Sequence, residues 1–194
     1  MRKITAADVL PLAEYAKVRA ERRRALTQIK RNRRLEVGPF ATFYFESFDT
    51  MLHQVQEMLF IEKGGAEQIP DELAAYNPLI PNGRELTATV MIEIDEPVRR
   101  ARVLATLGGI EHTMYLRVGG ETIKGIAEED QDRTNAEGKA SSVHFVHFPF
   151  SPAQIAAFRQ PGKEVVVGFS HPNYGHIAVM PDAVRTALAG DFEG

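Results

Sequence analysis

Three groups of residues have the types and spacing that chemistry uses. Glu46, His53 and Glu57 form the first. His53 and Glu57 lie four apart, so on a helix they share a face and can reach one metal ion, while Glu46 and Glu57 can divide acid and base roles. The same spacing also makes an ordinary hydrogen-bonded pair in solvent. The second group is His144, His147, His171 and His176, four of the six histidines in the chain. On a strand, His144 shares a face with Ser142 and Val146, and His147 shares the other with Val143 and Phe145, so one imidazole must lie toward the apolar side. His171 and His176 flank the turn Pro172-Asn173-Tyr174-Gly175, which can bring their rings close. His144, His171 and His176, joined by Glu46 or Glu57 and with His53 nearby, make a candidate nitrogen and oxygen ligand set for zinc or iron. The alternative places His147 in the core as a hydrogen-bonded residue and leaves the turn histidines solvated; the spacing matches no standard ligand formula. The third group is glycine-rich: Leu107-Gly108-Gly109 ends a helix and Val118-Gly119-Gly120 turns a hairpin. Neither is a phosphate loop, and no GxSxG occurs. No set of residues assigns a reaction. The chain has no cysteine, which excludes thiol catalysis, disulfides and thiolate metal sites within it.

The elements that must position these residues are legible as a repeated pattern. Residues 87–127 read strand, helix, strand, strand (TATVMIEI, EPVRRARVLATLGG, TMYLRV, ETIKGIA), and residues 142–180 repeat that order (SVHFVHF, SPAQIAAFRQPG, EVVVGFS, YGHIAVM). Glu96-Pro97 and Ser151-Pro152 open the two helices at corresponding points. The match is in pattern, not identity, and argues for a scaffold of two βαββ units with pseudo-twofold character. The acidic, turn-forming stretch 128–142 is expected to be a mobile link between them.

Ahead of these units the chain is helix-rich. Thr5-Ala6-Ala7-Asp8 forms a capping box, Pro11 kinks or restarts the helix, and helical spacing continues to about Lys30. RLEV, Gly38-Pro39 and FATFYFES read as a turn and a strand, with Phe43 and Phe45 on one face and Thr42, Tyr44 and Glu46 on the other. Phe48, Met51, Leu52, Val55, Met58 and Leu59 form the apolar stripe of a helix that Ser47 or Asp49 caps and Gly64-Gly65 ends. NPLIPNG is a rigid connection. The expected fold is therefore α+β: a helical N-terminal region, residues 1–80, packed on a mainly antiparallel sheet built from the two βαββ units, residues 84–194, in one compact domain. Two helices, 97–107 and 152–159, should cover one face of that sheet.

The net charge of −3 conceals an asymmetry. Residues 1–34 carry eleven Lys or Arg against three Asp or Glu, and the remaining chain carries twelve against twenty-three. A basic arm of this kind can meet nucleic acid, yet it lacks the aromatic interleaving that stacking on bases uses. The favoured expectation is that it lies on the acidic body of its own chain, or of a second subunit in a homo-dimer. No stretch approaches the roughly 20 apolar residues of a membrane span. MRKITAADVL has no apolar signal core, which points to the cytoplasm.

The segments KRNRRLEVGPFATFYFE, TMLHQVQEML, ELAAYNPLIPNG, SSVHFVHF and SHPNYGH are specific in combination. Through them nearly the whole chain resembles an uncharacterised bacterial family, a domain of unknown function of about this length. The resemblance implies a setting rather than a mechanism, because members are often encoded beside a rubrerythrin-like diiron protein and a cysteine-rich iron–sulfur oxidoreductase. It implies an accessory role in redox or peroxide-stress chemistry, with those two proteins as partners and no cofactor of its own. A metal-dependent enzyme is the alternative reading, and nucleic-acid binding through residues 19–34 a third.

Overall fold

A computed structural model describes residues 2–128 and 133–193 of the chain. The capping box of Thr5 and Asp8 closes only a 3-10 turn, Ala6–Asp8, and Pro11 then restarts the chain as helix α1, Leu12–Arg31. Strands β1 (Arg34–Val37) and β2 (Ala41–Phe45) form a hairpin. Helix α2, Phe48–Glu62, begins at Ser47, whose hydroxyl accepts the Thr50 amide while the Thr50 hydroxyl accepts the Ser47 amide. It ends one residue before the expected glycine: Lys63 takes the left-handed conformation, φ 55°. Helix α3, Ile69–Tyr76, follows.

The two repeated units are present in the expected order. The first is β3 (Glu85–Ile92), α4 (Pro97–Leu104), β4 (Met114–Val118) and β5 (Glu121–Lys124), followed by the short strand β6 (Ile126–Ala127); the second is β7 (Val143–Pro149), α5 (Pro152–Arg159), β8 (Val165–Phe169) and β9 (Ile177–Val179). Helix α6, Asp182–Ala189, closes the chain. Both repeat helices start with proline behind a side-chain cap: the Glu96 carboxylate accepts the amides of Val98 and Arg99, and the Ser151 hydroxyl accepts that of Gln154. The pseudo-twofold is visible in the pairing. β3 pairs antiparallel with β7, β4 pairs antiparallel with β8, and β5 and β9 flank that second pair symmetrically.

The strands divide between two sheets rather than one. One has the order β1-β2-β3-β7-β6 and the other β5-β4-β8-β9, and every pairing is antiparallel. The sequence pattern gives the order of elements but not their partners, and here each repeat helix carries the chain from the first sheet to the second. Because β3 and β7 run in opposite directions, α4 and α5 leave from opposite ends of the sandwich and do not lie side by side on one face. Leu104 of α4 and Ile155 and Phe158 of α5 insert into the core between the sheets, among Phe43, Leu116, Phe148 and Val167.

Helices α2 and α3 lie over the outer face of the first sheet, and α1 packs on α2 with Lys30 reaching the cleft at that face. The predicted α2 stripe supplies a second core, in which Met51, Val55 and Leu59 meet Ile4, Leu79 and Ile80. Within the expected link at 128–142, residues 129–132 lie outside the described residues. The remainder is held, not loose: Thr134 bridges to Ala140, the Ala140 amide donates to the Leu104 carbonyl, and the Gly109 amide donates to the Thr134 hydroxyl. Among the described residues no helix is long and apolar enough to cross a membrane.

Candidate functional site

A polar cluster joins α1 to α2. Tyr15 lies on the inner face of α1 with no exposed surface. Its hydroxyl donates to Glu57 Oε1 at 2.6 Å and sits 3.5 Å from His53 Nδ1. Arg19, one turn further along α1, closes a bidentate pair on the same carboxylate, Nε to Oε1 and Nη2 to Oε2, both at 2.8 Å. The Arg19 guanidinium also lies over the Phe60 ring at 4.7 Å. Hydrogen bonding from Arg19 is the largest influence holding the Glu57 carboxyl at about 2. Burial pushes the Tyr15 phenol up, and Glu57 adds to it; burial lowers His53. Glu57 thus remains an occupied carboxylate and Tyr15 a protonated phenol. The arrangement is a clasp joining α1 to α2. His53 and Glu57 do share a face, as expected, but Tyr15 and Arg19 from another helix use the carboxylate.

Glu46 lies elsewhere, in a cleft of about 340 Å³ between α2, α3 and the sheet. Strand register builds the floor. Tyr44, Thr89 and Phe145 are directly opposite one another across β2, β3 and β7, and Met91 pairs with Val143 in the next row. Glu46 follows β2 in phase with Tyr44, and the turn into α2 places Thr50 above it. Its carboxylate accepts the Thr50 hydroxyl at 2.6 Å and the Thr89 hydroxyl at 2.7 Å. Among the described residues it meets no cation at ion-pair distance, although Lys30 lines the same cleft. Gln54 and Tyr76 complete the polar lining, with only a long contact of 3.5 Å between them.

The histidines are dispersed. His144, not His147, is the core residue: it is fully buried, in phase with Val146 and Phe148 on the face that meets the second sheet. Its Nε2 lies 2.8 Å from the Ser141 carbonyl, so Nε2 carries the proton, and Nδ1 is buried without a partner. Burial lowers its proton affinity. Glu111 is buried nearby, with one oxygen accepting the Thr134 hydroxyl and the other unpaired. His147 stands half-buried between Glu85 and Glu128, each 3.2 Å from one ring nitrogen, and the Glu85 contact leads in raising its proton affinity.

His171 and His176 belong to a latch. His171 Nε2 donates to the Gly108 carbonyl at 3.1 Å and Nδ1 accepts the Asn173 amide at 3.2 Å, leaving neither nitrogen for a metal. Between them Tyr174 is buried; its hydroxyl accepts the Phe40 and Ala41 amides and donates to the Val37 carbonyl, each at 2.9 Å. His176 packs edge-on against the Tyr174 ring and so close to Gly38 that an added Cβ would fall 2.6 Å from its ring. Gly38 also has φ 72°, which only glycine adopts without strain. The SHPNYGH segment therefore ties the second sheet to the β1–β2 turn of the first. Among the described residues no three His, Asp or Glu side chains are grouped so as to hold a metal ion. His53, Glu57, Glu46, His144, His171 and His176 are not brought together as one set.

A family model, described as "Protein of unknown function (DUF3501)", matches residues 3–192. The chain belongs to this family. It is also similar to a crystal structure from Burkholderia pseudomallei, described as a novel protein of unknown function. The two share 36% sequence identity with a TM-score of 0.91, over 99% of this chain and 100% of that one. No curated protein matches the chain.

Several residues that organise this DUF3501 chain escaped the sequence reading. Tyr15 and Arg19 had the helical spacing that puts them on one face, but their partner Glu57 lies 42 and 38 residues away. Thr50 and Thr89 flank Glu46 from different elements, and only the strand register brings them together. Tyr174 was visible in a turn motif, while its backbone acceptor and donors lie more than 130 residues distant.

Proposed function

We propose that this chain is a cytoplasmic accessory protein of a redox or peroxide-stress system, acting by binding protein partners through the outer face of α1. The observation that carries the reading is the way α1 is held. Its inner face is pinned by Tyr15 and Arg19, while Lys17, Arg24 and Arg31, seven residues apart, stay exposed along one line of a helix about 30 Å long. The helix carries seven Lys or Arg against two Glu, set against an acidic remainder of the chain. A pre-ordered basic helix loses little entropy on docking and offers an acidic surface both orientation and a fast encounter. The redox setting follows from the family resemblance and its rubrerythrin-like and iron–sulfur neighbours. A chain without cysteine leaves electron transfer to such partners.

The test is co-expression of the tagged chain with a rubrerythrin-like protein and a cysteine-rich iron–sulfur protein, the two partners that the family resemblance implies. Co-elution of at least one partner at low salt, weakening as salt rises, is the expected result. Failure of both to associate at low salt would remove the reading.

A further inference from the structure

The cleft beneath α2 and α3 holds one charge of each sign against an apolar wall, and we infer that it binds a small amino acid-like zwitterion. Glu46 receives the ligand's ammonium, Lys30 its carboxylate, and Met51, Met91 and Phe145 its apolar side chain. Glu46 is only 6% exposed, yet the partners of its carboxylate are two neutral hydroxyls, and the Arg33 guanidinium reaches its main-chain carbonyl instead. A carboxylate has about four lone-pair positions, so about two remain after Thr50 and Thr89 are counted. A buried charge held by neutral donors alone is costly, and an entering ammonium supplies the missing opposite charge. Both hydroxyls also fix the carboxylate in place before anything binds, which lowers the ordering cost of recognition.

Lys30 selects within that class. It lines the same cleft, so a simple amine would enter beside a like charge, whereas a zwitterion brings its own carboxylate to meet it. Gln54 and Tyr76 share only a 3.5 Å contact and keep hydrogen-bonding capacity for the ligand's polar end. The volume, about 340 Å³, falls within the range of about 300–1,000 Å³ usual for small-molecule pockets. This site is separate from the partner face, which is the opposite side of α1, so the failure of either assignment leaves the other standing.

The experiment is isothermal titration of the full chain with L-phenylalanine, L-leucine and L-methionine, using 2-phenylethylamine and 3-phenylpropionate as counterparts that each lack one charge. Saturable binding of at least one amino acid is expected, with each single-charge counterpart at least about tenfold weaker than L-phenylalanine or not bound. Glu46→Gln keeps the size of the side chain and removes its charge, and should weaken the amino acid at least about tenfold. Lys30→Gln at the rim should weaken it as well. Absence of binding by all three amino acids at millimolar concentration overturns the inference. So does equal affinity of 3-phenylpropionate and L-phenylalanine, or unchanged affinity in Glu46→Gln. Should Glu46→Gln not fold, the single-charge counterparts on the wild-type chain and the Lys30→Gln variant decide the matter in the same terms.

Discussion

Arg33 and Asp191 form a bidentate ion pair in the interior, although 158 residues separate them in the chain. Both side chains are under a tenth exposed. Arg33 spends its remaining donors on the carbonyls of Phe45, at 3.0 Å, and Glu46, at 2.7 Å. One guanidinium thus ties the C-terminal segment to the end of β2, where the cleft begins. Removing one partner of such a pair leaves an uncompensated buried charge. Asp191→Ala should therefore destabilise the chain by about 3–5 kcal/mol, measured by urea denaturation. A loss under about 1 kcal/mol would mean that solvent reaches Arg33.

The α1–α2 clasp makes an acid-side prediction. The folded Glu57 carboxyl titrates at about 2, below its ordinary 4.5. A depressed acid contributes stability that is fully present above the unfolded value and is lost as pH falls through the folded one. Wild type should therefore lose this contribution between about pH 4.5 and 2. Glu57→Gln should lack that part of the acid sensitivity, and limited proteolysis should cut its α1 faster at neutral pH. Equal cleavage of α1 in both proteins would show that the clasp does not hold the helix.

Two histidines pull stability in opposite directions near neutral pH. His147 has a raised proton affinity, led by its Glu85 hydrogen bond, so its contribution is complete below the unfolded value near 6.5 and fades as pH rises through the higher folded one. His144 has a lowered affinity because it is buried, so its contribution is complete above 6.5 and fades as pH falls through the lower folded one. The stability difference between wild type and His147→Gln should shrink on going from mildly acidic to alkaline pH. In nitrogen NMR spectra His144 should remain neutral, with its proton on Nε2, under conditions where His147 is charged. A protonated His144 at mildly acidic pH would contradict its packing.

Tyr174→Phe removes only an oxygen, yet it strands two amides and a carbonyl at the β1–β2 turn. A cost of about 1–3 kcal/mol is expected, together with faster amide exchange at Phe40 and Ala41. Unchanged exchange there would show that the latch is not what holds the turn.

The sequence was informative wherever one element decided its own pattern. The α2 stripe, the alternation of Phe43 and Phe45 against Tyr44 and Glu46, and the proline-led repeat helices all follow from local periodicity and capping, and they are present. The division into two sheets was hidden, because VVVGF is buried along its whole length and such a run does not reveal its partners. The same limit applied to His144 and His147. Alternation required one to face the core, but choosing between them needed the register of β7 on β3. Pairs such as Arg33 with Asp191, or Tyr174 with Phe40, have no local signature at all. Histidines close in sequence suggested a metal set, whereas two of them are spent on the turn that surrounds Tyr174.

The exposed basic line of α1 is proposed to dock an acidic partner. Sedimentation velocity of the chain mixed with the rubrerythrin-like protein, and separately with the iron–sulfur protein, tests it most directly, with Lys17→Glu, Arg24→Glu and Arg31→Glu combined in a second sample. These three side chains are exposed, so the fold should survive their reversal. A faster-sedimenting complex with wild type at low salt, absent from the charge-reversed chain, is the predicted result. A complex of equal affinity with both chains would contradict the account.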